Sequence, residues 1–350
     1  MKVVITGASG NVGSGVLRAL AGDPEDHQVV GICRRPPDHR PPFDEVTWYS
    51  CDLGEEGARD VLDKAMAGAD AVVHLAWMFQ PTRQGERLHR TNHKGTAAVL
   101  EAVRRAGVPH VVHGSSIAAY APAGDQPVDE SWPTTGVPGS VYGLGKSEVE
   151  AAVSRFAEEN PDTTVAVIRP TLVAQGAASA SFLALFFDPL VPLWLIRLLR
   201  DGRLPLLPLP ARLRVQLVHA DDVGDAVVRM LRRRAAGPFN LAADTLTAAD
   251  LAHVAKAQVV PVPAMAMRTA VGLLWRLRAI GMSPGWFDVG TRSPLVDTSR
   301  ARTVLGWSPR VRSADCAREQ LQGLAEATPG PSAALDRNRL RDDNRARALT

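Results

Sequence analysis

Cysteine and lysine are scarce in this 350-residue chain, and each scarcity limits what the protein can be. Three cysteines, Cys33, Cys51 and Cys316, are too few and too scattered for a disulfide framework or a four-cysteine zinc site. We therefore expect a reducing, cytoplasmic setting. The nine histidines do not cluster with cysteines or carboxylates at ligand spacing, so no metal is expected. Only five basic residues are lysine and 35 are arginine, a bias that we attribute to GC-rich coding.

The chain also has no large excess of positive or negative charge and no apolar run as long as a membrane-spanning helix. Its 40 basic and 37 acidic residues leave a net charge of +3, which argues against nucleic acid as the main partner. The most apolar stretch, residues 182–199, contains Asp188, two prolines and Arg197, which argue against a membrane-spanning helix. Because the first β-branched run begins at Val3, we also expect no signal peptide.

The composition, 45% hydrophobic and 22% charged, is typical of a globular protein, and the length suggests about two domains. In the first 170 residues, β-branched runs alternate with helical periodicity, which predicts an α/β fold: a doubly wound parallel sheet of the Rossmann type. The predicted strands are Lys2–Thr6, Gln28–Cys33, Val46–Cys51, Ala71–Leu75, His110–Ser115 and Val165–Arg169. The predicted helices are Val12–Leu20, Glu55–Ala67, Leu88–Ala106 and Val141–Glu159.

The pattern changes after residue 170, and we assign residues 1–170 to a first domain. Residues 171–213 and 242–325 are assigned to a smaller, mainly helical substrate-binding part. Residues 214–241 are predicted to return to the first domain, with a strand at Arg214–His219 and a helix at Val223–Arg234. The tail, residues 326–350, has little apolar content and is predicted to be disordered.

A glycine-rich turn follows the first predicted strand and precedes the first predicted helix. Gly7 permits the tight turn, Gly10 lets the backbone approach a pyrophosphate without a Cβ, and Gly13 allows close helix–strand packing. The free N–H groups and the dipole at the helix start favour phosphate there. This arrangement predicts a dinucleotide-binding site.

The end of the second strand indicates which dinucleotide is bound. An NAD site usually has an acidic residue here for the ribose hydroxyls, but this chain has Arg34 and Arg35. Because a guanidinium grips a 2′-phosphate, Arg34 favours NADP, with NAD as the alternative. The other interpretation is a solvated arginine pair in an arginine-rich chain. Asp52, after the third strand, either contacts the adenine edge or caps a helix near Glu55.

Tyr142 and Lys146 are four residues apart in a predicted helix, which places both side chains on one face. We expect the lysine charge to lower the pKa of the phenol and make Tyr142 a usable acid or base. Ser115 and Ser116 end a predicted strand, at the sheet edge where open α/β folds bind ligands. A serine at that edge would polarise a substrate carbonyl.

These motifs, in this order, resemble the extended short-chain dehydrogenase/reductases. That family includes NAD-dependent epimerases and dehydratases, dihydroflavonol-type reductases and 3β-hydroxysteroid dehydrogenases. The resemblance covers residues 1 to about 310. It rests on Gly7-x-x-Gly10-x-x-Gly13, Asp52-Leu53, His74-Leu75-Ala76, Asn92-His93-Lys94-Gly95-Thr96, Ser115-Ser116, Tyr142-x-x-x-Lys146, Ile168-Arg169-Pro170, His219-Ala220-Asp221-Asp222-Val223 and Leu305-Gly306-Trp307.

The resemblance implies a catalytic set of Ser116, Tyr142 and Lys146. Tyr142 would be the general acid/base, and Lys146 would hydrogen-bond the nicotinamide ribose and tune it. Ser116 would orient the reacting oxygen, with Ser115 as the less favoured candidate. The family often forms homodimers through the helix that carries this pair.

The resemblance also implies a set of supporting residues. Asn92 would support the site from behind, and Ala76 would line the cofactor through its backbone. The expected cofactor contacts are Gly7, Ser9, Gly10, Asn11, Val12, Gly13, Arg34, Asp52, Leu53, Leu75, Ala76, Asn92, Tyr142 and Lys146. Arg169, Asp222 (at an N-cap) and His74 (in the core) are expected to be structural.

One departure from the family concerns the substrate. The run after Arg169 lacks the asparagine and the Tyr-Gly-Pro of the nucleotide-sugar enzymes. Residues 182–199 and 264–286 are instead rich in Leu, Phe, Met and Trp, which suits an apolar substrate. These residues could equally form the core of the smaller part. Membrane-surface docking, suggested by arginines beside the apolar runs, is the least favoured of the three interpretations.

Three functions follow from these patterns. The favoured one is an NADP-dependent reductase or dehydrogenase acting on a ketone or secondary alcohol of an apolar small molecule. The second is a nucleotide-sugar epimerase or dehydratase with tightly held NAD. The third is a non-enzymatic dinucleotide sensor, which the presence of Ser116, Tyr142 and Lys146 disfavours.

Overall fold

The strands and helices below belong to a computed structural model that describes residues 1–78, 85–187 and 190–340. The strands are β1 (Lys2–Thr6), β2 (Gln28–Cys33), β3 (Thr47–Ser50), β4 (Ala71–His74), β5 (His110–Gly114), β6 (Thr164–Pro170), β7 (Leu172–Ala174), β8 (Leu206–Leu209), β9 (Arg214–His219), β10 (Gly237–Leu241), β11 (Thr245–Thr247) and β12 (Gln258–Pro261). The helices are α1 (Asn11–Ala21), α2 (Ala58–Met66), α3 (Gly85–His89), α4 (Gly95–Ala106), α5 (Val141–Glu159), α6 (Gly176–Phe186), α7 (Leu193–Arg200), α8 (Ala220–Arg233), α9 (Ala248–Val254), α10 (Ala264–Arg276), α11 (Pro284–Arg292), α12 (Ser299–Leu305) and α13 (Ser313–Glu326). A π-helical turn at Arg90–Lys94 joins α3 to α4, and a 3-10 turn spans Ile117–Ala119.

A seven-stranded parallel sheet in the order β10-β6-β5-β4-β1-β2-β3 forms the centre of the fold. This confirms the predicted Rossmann-type sheet, and the predicted element bounds agree with the observed ones to within a turn of helix. Because β1 lies between β2 and β4, the strand order reverses beside it. Ligands of such sheets bind at this switch point, beyond the carboxyl ends of the strands.

Alternate residues of β1 enter two separate cores, as the side-chain period of a strand requires. Val3 and Ile5 pack in the core that includes side chains of α1 and α8. Val4 packs in the other core, with side chains of α2, α4 and α5. Helices therefore cover both faces of the sheet, so a ligand can reach it only at the ends of the strands.

The helices α1 and α8 meet through two glycines. A Cβ on Gly15 would lie 2.2 Å from the backbone oxygen of Ala220, and one on Gly224 would lie 2.3 Å from that of Gly15. No side chain fits at either position without moving a helix axis. This contact holds α8 against the sheet.

The return of residues 214–241 to the first domain differs in part from the prediction. β10 does join the large sheet beside β6, but β9 pairs with β7 and β11 in a separate three-stranded sheet. The N-cap of α8 is His219, whose Nδ1 accepts a hydrogen bond from the Asp221 amide. Asp222, predicted at that N-cap, instead accepts hydrogen bonds from the amides of Arg310 and Val311 at 3.0 and 3.1 Å.

The tail also differs from the prediction, because residues 330–340, here called the C-terminal segment, pack on the protein. Ser332 Oγ donates a 2.6 Å hydrogen bond to the backbone oxygen of Ser9 in the glycine-rich turn. Leu335 is buried, and Leu340 packs with Phe186 of α6. The prediction of disorder is wrong for these residues, since the few apolar side chains of the tail recur closely enough to anchor it.

No helix within the described ranges is both long and apolar enough to cross a bilayer. Asp188 and Pro189, on which part of that prediction depended, lie outside the described residues, as do the last ten residues of the tail.

We expect Gly15→Ala to lower the free energy of unfolding by about 1–3 kcal/mol, because the added methyl group overpacks the α1–α8 contact. Gly290→Ala is the matched control: Gly290 is an exposed residue inside α11, and a Cβ added there would have no atom within 4 Å. The control should be neutral or stabilising by up to about 1 kcal/mol. Urea unfolding of both variants measures the difference, and equal stability would contradict the assigned packing.

Candidate active site

The glycine-rich turn lies against the end of β4, at the switch point of the sheet. Gly7 has a φ of +73°, and a Cβ there would lie 2.7 Å from the amide nitrogen of Ala76. A Cβ on Gly13 would lie 2.4 Å from the backbone oxygen of Gly7. The Leu75 and Ala76 amides are held by Thr6, through its backbone oxygen and its Oγ1. The turn is therefore a backbone-lined cradle that excludes side chains, and it fits a dinucleotide pyrophosphate.

The side chains around the turn are occupied in ways that the motif did not indicate. Asn11 Nδ2 donates to the backbone oxygen of Val173 at 2.9 Å, and Gln175 Nε2 donates to Asn11 Oδ1 at 2.6 Å. Contact of Asn11 with a cofactor would therefore use its backbone rather than its amide group. Ser9 is hydrogen bonded with Cys33, whose thiol pKa is raised by burial. Gln175 was missed because it follows β7, outside any motif.

The residues predicted to read the adenosine half lie at the ends of β2 and β3. Arg34 is exposed directly after β2, and its backbone oxygen accepts a 2.9 Å hydrogen bond from Ser50 Oγ. Asp52 Oδ1 accepts from the Gly54 amide at 3.1 Å, so it stabilises a turn before α2 rather than the start of the helix. Leu53 is buried and packs on Gly95 at the start of α4.

Tyr142 lies in the first turn of α5, which begins after the capping hydroxyl of Ser140. Its phenol is hydrogen bonded with Ser116, which follows β5 and caps the 3-10 turn by accepting from the Ala118 amide. Burial raises the pKa of Tyr142 to about 12, against the hydrogen bond with Ser116, which lowers it. The phenol therefore carries its proton at neutral pH.

Lys146 lies one turn after Tyr142 and is buried. Its Nζ donates a 2.7 Å hydrogen bond to the Gly114 backbone oxygen and lies 3.6 Å from the centroid of the Trp77 ring. Burial lowers the pKa of Lys146 to about 7, while the negative charge of Glu150 raises it. The expected lowering of the phenol pKa by this lysine is wrong for this structure, since burial dominates at both groups.

An aromatic cluster extends from the Tyr142 ring through direct contacts with Trp77 and Trp286, and it continues from Trp286 to Phe186, Phe182 and Phe187. The Trp286 ring stacks on Tyr142 with centroids 4.5 Å apart, and Trp77 meets Tyr142 edge-on at 6.2 Å. Phe186 meets Trp286 edge-on at 5.1 Å. The sequence identified most of these apolar residues but not that they join in one cluster that contacts Tyr142 through Trp286.

A buried ion pair lies behind the Tyr142–Lys146 pair. Glu150, one turn beyond Lys146, binds the guanidinium of Arg169 on β6 and accepts a 2.5 Å hydrogen bond from Ser115 Oγ. Arg169 also donates to Tyr120 Oη at 2.6 Å. Ser115 is thus committed to Glu150, and Ser116 is the serine that faces the phenol. The spacing of 142 and 146 extended by one more turn would have found Glu150.

The remaining predicted residues stabilise the loop after β4. Asn92 is buried in the π-helical turn, and its Oδ1 accepts a 2.7 Å hydrogen bond from the Met78 amide. His74 is buried between Thr6 Oγ1 and Thr96 Oγ1, and burial lowers its pKa to about 3. Because the His74 ring is neutral and both of its nitrogens are hydrogen bonded, we interpret His74 as a structural residue. No three metal-ligating side chains come together in the described part of the chain.

We expect Lys146→Met to flatten the dependence of stability on pH. The lysine pKa is 10.5 in its ordinary state and about 7 in the folded protein. Between these values the unfolded chain holds a proton that the folded protein has released. The free energy of unfolding therefore rises with pH, by up to about 1.4 kcal/mol per pH unit.

Urea unfolding at several pH values above 7 measures this slope for the wild type and Lys146→Met. Lys94→Met, which changes an exposed lysine, should follow the wild type. A Lys146→Met curve parallel to that of the wild type would show that the buried amine titrates normally.

Comparison with known proteins finds relatives along most of the chain. It is 27% identical over 358 residues to the 4-hydroxy-2-methyl-3-oxo-4-farnesyl-3,4-dihydroquinoline-1-oxide ketoreductase of Stigmatella aurantiaca, covering 96% of this chain and 99% of that protein. It is 27% identical over 317 residues to the ceramide reductase of Caulobacter vibrioides, covering 88% and 86%. Uncharacterized proteins of Mycobacterium tuberculosis and Mycobacterium bovis are 28% identical over 320 residues, but the chain spans only 29% of their length.

The fold and the family agree with these relatives. A UDP-glucose-4-epimerase structure from Stenotrophomonas maltophila, with bound NAD, superposes with a TM-score of 0.68 at 20% identity, covering 93% of this chain and 98% of that one. That likeness establishes the fold alone. The model of the NAD dependent epimerase/dehydratase family matches residues 3–242, which carry the glycine-rich turn, Ser116, Tyr142 and Lys146. The chain therefore belongs to the NAD-dependent epimerase/dehydratase family of enzymes.

Proposed function

We propose that the protein is an NADP(H)-dependent reductase of a ketone carried by an apolar molecule. The observation that carries the proposal is the environment of Tyr142: a protonated phenol, hydrogen bonded with Ser116 and stacked on Trp286. Reduction of a carbonyl needs a proton donor at the oxygen, and a phenol that holds its proton is such a donor. The aromatic cluster provides the apolar wall that such a substrate needs.

The glycine-rich turn, the Leu75–Ala76 backbone and Arg34 would hold the dinucleotide. The turn supports this role because neither Gly7 nor Gly13 has space for a side chain. Arg34 is exposed at the end of β2, where its charge would attract a 2′-phosphate. When bound, a reduced nicotinamide supplies the hydride.

Each catalytic side chain then has a separate task. Ser116 hydrogen-bonds the substrate oxygen and orients the carbonyl toward Tyr142. Tyr142 donates its phenolic proton to that oxygen as negative charge develops there. Lys146, with a pKa close to neutrality, stabilises the phenolate that results and returns a proton to it. Glu150 and Arg169 keep α5 in register with β5 and β6 during these steps.

The substrate class is inferred from the cluster and from the relatives. The two reductase relatives that align with most of this chain are named for molecules with an apolar portion, a farnesyl-bearing quinoline oxide and a ceramide. The cluster that reaches Tyr142 through Trp286 offers the aromatic faces of Phe182, Phe186 and Phe187. A sugar nucleotide needs charged groups for its diphosphate. We therefore infer a ketone on a long or polycyclic hydrocarbon.

We expect Tyr142→Phe to lower kcat by about 10²–10⁴-fold, the usual contribution of a general acid. The ring remains, so stacking on Trp286 and NADPH affinity should stay within about twofold of the wild type. NADPH oxidation is followed with a panel of long-chain and aromatic ketones. Tyr49→Phe, on β3 and far from α5 in the fold, is the matched control and should be fully active. Undiminished turnover by Tyr142→Phe would remove Tyr142 from the mechanism.

We expect the protein to bind NADPH more tightly than NADH, and Arg34→Ala to abolish most of this preference. Loss of a charge-assisted contact should weaken NADPH binding by about 10–100-fold and leave NADH unchanged. Titrations followed by nicotinamide fluorescence measure both affinities. Arg40→Ala, at another exposed arginine of the same connection, is the control. Equal NADPH affinity in Arg34→Ala would assign the phosphate to another residue.

The second candidate is a nucleotide-sugar epimerase or dehydratase, which the family model favours. Such an enzyme oxidises and re-reduces its substrate on one dinucleotide and so keeps NAD through purification. Mass spectrometry of nucleotide released on denaturation separates the two candidates. Stoichiometric NAD would favour the epimerase, and an empty protein that prefers NADPH would favour the reductase.

A further inference from the structure

The helix α10 is apolar yet has no buried residue. Met265, near its start, is 70% exposed, and Leu273, in its second half, is 58% exposed. Leu277, directly after its last residue, is 67% exposed. Their spacing, together with Thr269, is one residue every four positions, which places them in one stripe along the helix. The other side packs on α11, where Gly272 lies against Pro284. Burying such a stripe is favourable, so an exposed one marks a binding surface.

Exposed apolar side chains also occur in α7 and in the strand pair β8–β12. In α7 only Ile196 is buried, and Trp194 is 61% exposed. The chain then passes through β8, which pairs in parallel with β12, and β12 leads into α10. Seven of the twelve exposed large apolar side chains in the described residues lie in this region. They are Leu190, Trp194, Leu206, Val260, Met265, Leu273 and Leu277, and we call them the apolar face.

The charged residues of the two sequence stretches that carry the apolar face are mostly arginine. Residues 190–213 contain four arginines and one acid, Asp201, which pairs with Arg200. Residues 258–287 contain three arginines and no acid, and the nearest acid, Asp288, is buried against Arg268. Apolar side chains bordered by arginine complement the acyl chains and anionic headgroups of a bilayer. A protein partner or a second copy would have to supply acidic groups, because Asp201 and Asp288, the acids in or next to these stretches, are each paired with an arginine.

The apolar face also leads directly to the candidate active site. The loop after α10 brings the Met282 amide to the backbone oxygen of Phe186, at 3.2 Å. The next helix, α11, carries Trp286, which stacks on Tyr142. A bilayer that contacts α10 would therefore lie next to the aromatic cluster.

We propose that the apolar face docks on an anionic membrane surface, with the apolar side chains inserted among the acyl chains and the arginines among the headgroups. This assigns the protein to the interface of the bilayer and not to its interior. From the sequence alone, membrane-surface docking ranks below a substrate wall and below a core for these apolar residues. The structure changes this ranking, because most side chains of α7 and all those of α10 are left unburied. The binding needs neither cofactor nor substrate, so it is tested separately from the reductase chemistry.

The test is flotation of the full chain with vesicles of phosphatidylcholine and phosphatidylglycerol, compared with phosphatidylcholine alone. We expect the wild type to float with the anionic vesicles and to be released by salt. The Leu273→Glu/Leu277→Glu double variant should bind at least about tenfold more weakly, since each leucine loses its burial and gains a charge. Trp194→Glu tests the α7 half, and Val304→Glu, an exposed site on α12, is the matched control.

The outcomes separate the proposal from its rivals. Loss of binding in Leu273→Glu/Leu277→Glu, with Val304→Glu unchanged and NADPH affinity retained, supports docking through α10. Failure of the wild type to float with anionic vesicles at low salt overturns the proposal, as does unchanged binding by the double variant. Light scattering that shows a wild-type dimer and a monomeric double variant assigns the face to a second copy and overturns it also. Unchanged binding by Trp194→Glu removes α7 from the face.

Discussion

The buried ion pair between Glu150 and Arg169 is the interaction on which the candidate site depends. It joins α5 to β6, and its outer bonds reach β5 through Ser115 and β10 through Tyr120 and Asn240. Burying two charges is costly, but here each oxygen of Glu150 has a donor and the guanidinium has further acceptors. Loss of either partner would leave an unpaired buried charge. The polar contacts of Glu150 and Arg169 therefore fix the position of α5, which carries Tyr142, whereas the Tyr142 ring itself contacts the apolar rings of Trp77 and Trp286.

Burial shifts the pKa values of Tyr142 and Lys146 in opposite directions. Burial raises the pKa of Tyr142 to about 12 and lowers that of Lys146 to about 7. Both shifts favour the neutral forms, as burial in a medium of low polarity must. The Gly114 carbonyl, the Trp77 ring and the charge of Glu150 offset part of the cost at the amine. The phenol of Tyr142 therefore keeps its proton at neutral pH.

Much of the fold could be predicted from sequence, because β-branched runs and helical periodicity are local signals. The glycine-rich turn and the Tyr142–Lys146 spacing were found in the same way. Contacts between distant residues were not: Gln175 binds Asn11, and Asp222 holds the amides after Trp307. Neither residue has a spacing that identifies its partner. Composition misled at the tail, where a few apolar residues suffice to anchor the C-terminal segment.

The apolar residues of the smaller part illustrate a further limit. Their number was clear from sequence, but number alone does not distinguish a core from a surface. Phe186 and Leu183 are buried, whereas Met265 and Leu273 are exposed, although all four lie in apolar helices. The difference depends on which helices find a neighbour: α6 packs on α13, whereas α10 packs mainly on α11. Periodicity cannot supply that information.

The bond between Ser332 and Ser9 joins residues 323 positions apart in the sequence. Because Ser332 follows Ser9 by 323 positions, this contact closes only after the whole intervening stretch has been synthesised. Every strand of the seven-stranded sheet precedes it. A chain truncated after α13 would keep that sheet but lose both the cover over the turn and the packing of Leu340 on Phe186.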